Sequence, residues 1–290
     1  MKEIKTVCVC GAGTMGSGIA QVCAMSGNQT ILYDVDESML AKAKLTIEHN
    51  LTRLLEKTKI TASEKRDILN RLSFTFDIDR CRADLVVEAI IERLDAKISL
   101  FNQLTELNSA ETILATNTSS LSVNEIARAL KTSVNFIGLH FFNPAPLMQL
   151  VEIIKTNSVS EEAVETAKHF IESLNKVVVV CNDSPGFIVN RVARPYYLES
   201  LRLIEEEKIF FETADKLLED RGFKMGPFKL MDVIGNDINY AVSCSVYEQL
   251  NSPERLKPSA IQKEKVAKGE LGKKTGNGYY NYNLSGNNNI

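Results

Sequence analysis

The stretch from Lys5 to Asp34, KTVCVCGAGTMGSGIAQVCAMSGNQTILYD, constrains the fold more than any other part of the chain. Thr6 to Cys10 is short, β-branched and apolar, the pattern of a buried parallel strand. Gly11, Gly13 and Gly16 follow at G-x-G-x-x-G spacing. Gly11 permits a tight turn, Gly13 lets a pyrophosphate approach the backbone, and Gly16 lets the next helix pack close to the strand. That helix starts near Met15 and turns its N–H groups and positive dipole end toward the phosphates, so Thr14 and Met15 join the glycines as candidate cofactor-binding residues. Gln29 to Tyr33 forms a second strand. Asp34 ends it, 18 residues after Gly16. A carboxylate there accepts both hydroxyls of an adenosine ribose and repels a 2′-phosphate, which favours NAD over NADP. FAD uses the same fingerprint, and these residues alone leave it open.

At 290 residues the chain has room for two domains. It is 44% hydrophobic and 24% charged, enough for sizeable cores. A net charge of −3 gives no general attraction to nucleic acid or to an anionic membrane surface. Six cysteines are scattered with no C-x-x-C pair, so neither a zinc site nor a disulfide framework is indicated, and no metal is expected. Reduced thiols in the cytoplasm are the simplest reading. The first strand begins almost at once, so no signal peptide is expected. No apolar run approaches the length of a membrane span.

Residues 36–57 carry helical periodicity, with Leu40, Leu45, Ile47, Leu51, Leu54 and Leu55 as apolar positions. A second helix is predicted over 62–71, before a strand from Arg71 to Phe76. Asn50, Arg53 and Lys57 share one face of the first helix, which suits either solvent or an anionic ligand. Further strands are predicted at Leu85 to Ile91, Thr112 to Thr116, Val134 to Leu139, Leu150 to Ile154 and Lys176 to Cys181, giving a sheet of about eight. Asn117, Thr118, Ser119 and Ser120 follow a strand, on the side of an open sheet where ligands bind. Ser122 and Glu125 have capping-box spacing. Ser184 and Pro185 have the residue types of a helix start. From there the pattern is helical only, over 187–207, 213–221, 227–234, 237–250 and 258–268, with a polar tail, LSGNNNI, expected to fray. The expected class is thus α/β: a Rossmann-type domain over residues 1–185, its mostly parallel sheet covered by helices on both faces, then a smaller all-α domain over 186–290.

Of three histidines, His49 and His169 fall in polar-rich helical stretches and are expected at the surface. His140 ends a strand on the ligand side of the sheet. Glu152, in the neighbouring strand, is a candidate to fix its tautomer and stabilise its imidazolium. Such a pair is suited to taking a proton from an alcohol as hydride leaves the same carbon.

Seven stretches in order, VCVCGAGTMGSGIAQ, DLVVEAIIERLDAK, TNTSSL, GLHFFNPAPLMQLVEII, DSPGFIVNR, MGPFKLMDVIG and GKKTGNGYYNY, resemble the 3-hydroxyacyl-CoA dehydrogenase family, in particular its short single-function 3-hydroxybutyryl-CoA members. The resemblance covers nearly the whole chain. It implies NAD as cofactor, an acyl-CoA substrate, a helical second domain that forms a homodimer, and a place in fatty acid or butanoate metabolism. It makes His140 the catalytic base, Glu152 its orienting partner, and Ser119 and Asn190 donors to the substrate oxygen. It assigns Asp34 to the ribose, and Glu92, Lys97, Asn117 and Asn143 to the nicotinamide half of the cofactor. Lys57 matches a basic residue that contacts the acyl-CoA. Asn50 stands where relatives often have serine. Arg53 joins them through its charge alone.

Dehydrogenases acting on free 3-hydroxyacids share this outline but use a lysine four residues before an asparagine. Here Gly186 holds that place before Asn190. A non-catalytic NAD-binding relative would lack the base or its partner, and both are present. A fused hydratase domain is not expected from the start and the short tail of the chain.

Overall fold

In a computed structural model of the chain, residues 3–131, 135–207 and 209–283 are described. The chain divides into two compact units, Met1–Ser184 and Pro185–Ile290. Val134 and the tail from Leu284 to Ile290 lie outside the described residues.

The first unit opens with β1 (Thr6–Cys10), α1 (Thr14–Met25), β2 (Gln29–Tyr33), α2 (Glu37–Glu56), α3 (Ala62–Asn70) and β3 (Leu72–Thr75). It continues through β4 (Leu85–Glu88), α4 (Leu94–Leu107), β5 (Ile113–Thr116), α5 (Val123–Ala129), β6 (Asn135–Phe141), β7 (Leu150–Lys155), α6 (Glu161–Ser173) and β8 (Val177–Asn182). The strands form one eight-stranded sheet in the order β3-β2-β1-β4-β5-β6-β7-β8. All neighbours are parallel except β6 and β7. The order reverses at β1, which has β2 on one side and β4 on the other. That switch point opens a crevice at the carboxyl ends of the strands, where open α/β sheets bind ligands. Burial explains the strands: Val7 to Cys10 and Leu85 to Val87 are almost wholly covered, as expected of strands with layers on both faces.

Several local expectations are corrected. Leu45 is 67% exposed, so the apolar stripe of α2 runs through Leu40, Ile47 and Leu51 instead. β4 stops at Glu88 rather than Ile91, because the Glu88 carboxylate accepts the Ile90 N–H at 2.7 Å and turns the chain out of the sheet. The Ser122 hydroxyl accepts the Glu125 N–H at 3.2 Å, the forward half of a capping box, and donates to Asp183 at 2.7 Å. A full reciprocal box instead starts α3, between Thr61 and Glu64.

The second unit is helical: α7 (Val189–Glu207), α8 (Phe211–Asp220), α9 (Pro227–Ile234), α10 (Asn236–Gln249) and α11 (Ala260–Ala267). Ser184 and Pro185 do not start α7. Gly186 and Phe187 both take positive φ (76° and 49°), and the helix begins only after that turn. The core gathers Tyr197, Leu198, Leu201, Phe228, Met231 and Tyr279. Two buried carboxylates organise it. Asp215 accepts the Phe228 and Lys229 N–H groups at the start of α9, and Asp232 accepts those of Tyr279 and Tyr280. Val246 is 2% exposed and belongs to the interior.

Candidate active site

The dinucleotide end is built by the glycine turn. Gly11 has φ +107°, and a Cβ there would strike the backbone of Ala89 and Ile90. A Cβ on Gly16 would collide with the Gly11 carbonyl, which is why α1 can lie so close to β1. At Gly13 a Cβ would meet nothing within 4 Å, so the backbone there is open to an approaching group. Gly13 is also the N-cap of α1, and no side chain caps that helix. This combination suits a pyrophosphate on the helix N-terminus. A cavity of about 730 Å³ adjoins it, lined by Gly11, Gly13, Tyr33, Asp34, Ile90 and Leu100 among others. Asp34 is anchored from both oxygens: Oδ2 accepts the Ala12 N–H at 2.7 Å and Oδ1 that of Asp36 at 3.0 Å. Its charge is thereby held at the wall of that cavity. The turn, the uncapped helix and the acid fit a dinucleotide with an unphosphorylated ribose.

A buried ionic relay continues from β4. Glu88 is fully buried, and its carboxylate takes Lys97 Nζ at 2.6 Å and the Thr116 hydroxyl at 2.7 Å. Lys97, 1% exposed, also reaches Glu92 at 3.1 Å. One oxygen of Glu92 then collects the Thr118 hydroxyl, the Ser119 N–H, the Ser120 N–H and the Ser120 hydroxyl, at 2.5–3.3 Å. The turn after β5 is therefore shaped by a carboxylate from the turn after β4. Burial pushes the Glu88 carboxyl up, and Lys97, Thr116 and the Ile90 N–H only partly offset it. Burial also pushes Glu92 up, but the charge of Lys97 and the hydrogen bonds from Thr118, Lys97 and Ser120 outweigh it, leaving that carboxyl below its ordinary range. Glu88 did not stand out as a site residue in the sequence, and Thr118 did so only as a member of the polar run after β5. The available signal was a single acid inside the apolar run LVVEAII.

The third element is the His140–Glu152 pair. Antiparallel pairing puts the two residues directly opposite each other on β6 and β7. Nδ1 of His140 lies 2.6 Å from a Glu152 oxygen; the histidine is 5% exposed and the glutamate fully buried. His140 lies inside β6, which runs on to Phe141. The next strand over ends at Thr116, and Asn117 Oδ1 accepts the Phe141 N–H at 2.9 Å. The turn with Ser119 and the histidine strand are thus tied together. His49 and His169 are both exposed.

Residues 6–184 match the profile of the 3-hydroxyacyl-CoA dehydrogenase NAD binding domain, and residues 186–282 match that of the 3-hydroxyacyl-CoA dehydrogenase C-terminal domain. The chain belongs to the 3-hydroxyacyl-CoA dehydrogenase family. Its cofactor is NAD, which removes FAD from consideration. The chain is 45% identical to the 3-hydroxyadipyl-CoA dehydrogenase of Escherichia coli over 97% of its own length and 60% of that protein's. It is 42% identical to the mitochondrial hydroxyacyl-coenzyme A dehydrogenase of Rattus norvegicus, over 96% of this chain and 91% of the rat protein. Among solved structures, a 3-hydroxybutyryl-CoA dehydrogenase from Escherichia coli superposes with a TM-score of 0.95 at 44% identity, covering all of this chain and 62% of that one. The (S)-3-hydroxybutyryl-CoA dehydrogenase of Ralstonia eutropha gives 0.92 at 34% identity, over 97% and 99% of the two chains. The chain therefore spans about three-fifths of the first two Escherichia coli relatives and nearly all of the others.

The remaining family positions are distributed more widely. Asn143 is exposed and joined to Pro144 by a cis peptide bond. Asn50, in α2, donates to Gln21 of α1 at 3.0 Å, while Arg53 and Lys57 at the end of α2 are exposed. Asn190 belongs to the second unit, in the first turn of α7, where Arg194 Nε holds its carbonyl at 2.8 Å. Among the described residues, no helix is long and apolar enough to cross a membrane.

Proposed function

We propose that the chain is an NAD-dependent 3-hydroxyacyl-CoA dehydrogenase that interconverts 3-hydroxybutyryl-CoA and acetoacetyl-CoA. The observation that carries this reading is the buried His140–Glu152 contact of 2.6 Å on adjacent strands, beside the turn that holds Ser119. With Nδ1 engaged by a carboxylate, the imidazole has one tautomer and one orientation, and Nε2 is the atom that exchanges the proton. In oxidation, neutral His140 takes the proton of the 3-hydroxyl; in reduction, protonated His140 returns it to the forming alcohol. Glu152 compensates the charge while the ring carries both protons. The cofactor supplies a hydride acceptor in one direction and a hydride donor in the other. Ser119 and Asn190 hydrogen-bond the substrate oxygens. Glu92, Lys97, Asn117 and Asn143 hold the nicotinamide half of the cofactor. Asn50, Arg53 and Lys57 take the anionic CoA.

The second unit is the substrate and assembly domain in this reading. Phe210, Leu217, Phe223 and Ile238 are each at least half exposed, and Ile234 is 37% exposed, an apolar surface suited to a homodimer measurable by sedimentation. The assay that tests the function follows loss of NADH absorbance with acetoacetyl-CoA, longer 3-ketoacyl-CoAs, 3-ketoadipyl-CoA and free acetoacetate. The four-carbon thioester is expected to give the highest kcat/KM. Preference for 3-ketoadipyl-CoA would move the substrate toward that of the Escherichia coli relative. Equal turnover of free acetoacetate would overturn the acyl-CoA reading.

A further inference from the structure

Cys8 and Cys10 stand two residues apart on β1, so both face the same side of the sheet. Cys81 follows the short 3-10 turn Ile78–Arg80, whose Ile78 carbonyl accepts the Cys81 N–H at 2.8 Å. All three side chains are fully buried. Their sulfurs lie within 4.8 Å of one another, and those of Cys8 and Cys10 are 3.9 Å apart. A centre bonded to three sulfurs at about 2.3 Å, the length of a metal–thiolate bond, spaces them ~3.4 Å apart when pyramidal and ~4.0 Å when flat. The cluster is therefore already close to the spacing of a three-sulfur site.

We propose that Cys8, Cys10 and Cys81 form a binding site for trivalent arsenic. Charge selects this ligand class. Three thiolates around a divalent ion carry a net negative charge. Burying such a complex among apolar strands is costly. Arsenous acid, As(OH)3, avoids that cost because its trithiolate is neutral. Three As–O bonds and three S–H bonds break, three As–S bonds form, and three waters leave. Arsenic stays trivalent throughout, so no oxidant or reductant is needed.

The site also bears on the cofactor cavity. Cys10 immediately precedes Gly11 and pairs in register with Tyr33, and Cys81 is three residues from Ile78. Gly11, Tyr33 and Ile78 all line that cavity. Drawing the three sulfurs together moves its wall, so arsenite weakens NADH binding.

The test is mass spectrometry of the whole protein after prolonged incubation with excess arsenite. Wild type is expected to gain one arsenic and lose three hydrogens. Cys81→Ala and Cys10→Ala lose that adduct, while Cys181→Ser and Cys244→Ser keep it; NADH binding by each variant before arsenite confirms its fold. In loaded wild type the NADH affinity falls at least several-fold, and in Cys81→Ala it does not. Absence of the wild-type adduct, loss of fewer than three hydrogens, or an adduct that survives in Cys81→Ala overturns the site. Unchanged NADH affinity in fully loaded protein overturns its link to the cofactor.

Discussion

Lys97 Nζ lies 2.6 Å from Glu88 Oε1, and both side chains are closed to solvent. The same ammonium reaches Glu92 at 3.1 Å. One cation therefore stands between two carboxylates, and the two substitutions that break the relay are unequal. Glu88→Gln leaves Lys97 paired with Glu92 and removes a carboxylate whose charge burial disfavours, so it should cost roughly 1–3 kcal/mol. Lys97→Met leaves two acids without their cation and should cost about 3–5 kcal/mol. Denaturant midpoints at neutral pH measure both. A larger loss for Glu88→Gln would show that the relay is arranged differently.

Glu92 adds a pH-dependent contribution. Its carboxyl is held below the ordinary value of 4.5, so the unfolded chain takes up this proton first as the pH falls. The stabilisation is present above 4.5 and is lost as the pH drops through the folded-state value. Thr118→Val removes one of the hydrogen bonds that lower it. The stability gap between wild type and this variant should therefore be widest at neutral pH and narrow in acid. It should not vanish there, because the Thr118 hydroxyl also accepts the Leu121 N–H. A gap that stays constant with pH would mean that Thr118 acts only through that backbone contact.

In the proposed reading, Asp34 sets the cofactor preference. With both oxygens anchored to backbone N–H groups, the carboxylate cannot swing away from a 2′-phosphate. Wild type should prefer NADH clearly over NADPH. Asp34→Ala should narrow the ratio of kcat/KM values by about tenfold or more, the scale of a charge-assisted hydrogen bond. Comparable efficiency with both cofactors in wild type would place the discrimination elsewhere.

The histidine pair gives a second kinetic test. His140→Gln should lose ~10²–10⁴-fold in kcat while still binding NADH, since it removes the proton carrier and leaves the glycine turn untouched. Glu152→Gln should also lose kcat, because the imidazolium loses its counter-charge. Near wild-type kcat in the histidine variant would assign the proton to another group. A silent glutamate variant alone would leave His140 in place without this partner.

Lys57, at the C-terminal end of α2, is exposed, and in the proposed reading it contacts the anionic CoA. Lys57→Ala should raise the KM for acetoacetyl-CoA more than it lowers kcat, the signature of lost uniform binding. An unchanged KM would locate the CoA contact away from α2.

What could be read in the linear sequence was what depends on near neighbours. The turn at Gly11, the close packing at Gly16 and the acid at Asp34 lie within one strand–helix–strand unit, and the backbone demands of such a unit act over a few residues. The helices of the second unit were legible for the same reason, since their apolar period is local: Pro227–Ile234 has the expected limits. At β4 the expectation failed because an unforeseen partner intervened: Glu88 turned the chain out of the sheet through the Ile90 N–H. At α7 a local turn through Gly186 and Phe187 delayed the helix.

Only the tertiary structure decided the contacts that depend on strand register. His140 meets Glu152 because β7 runs antiparallel to β6 in one particular alignment, and a slip of one residue would put the two side chains on opposite faces. Lys97 meets Glu88 because the first turn of α4 brings its ammonium to the end of β4, in an interior where the unpaired ammonium would be costly. Cys81 meets Cys8 and Cys10 across more than 70 residues of chain. Residue identity supplies such groups with their chemistry. Their distances come from sheet order and long-range packing, which no local pattern encodes.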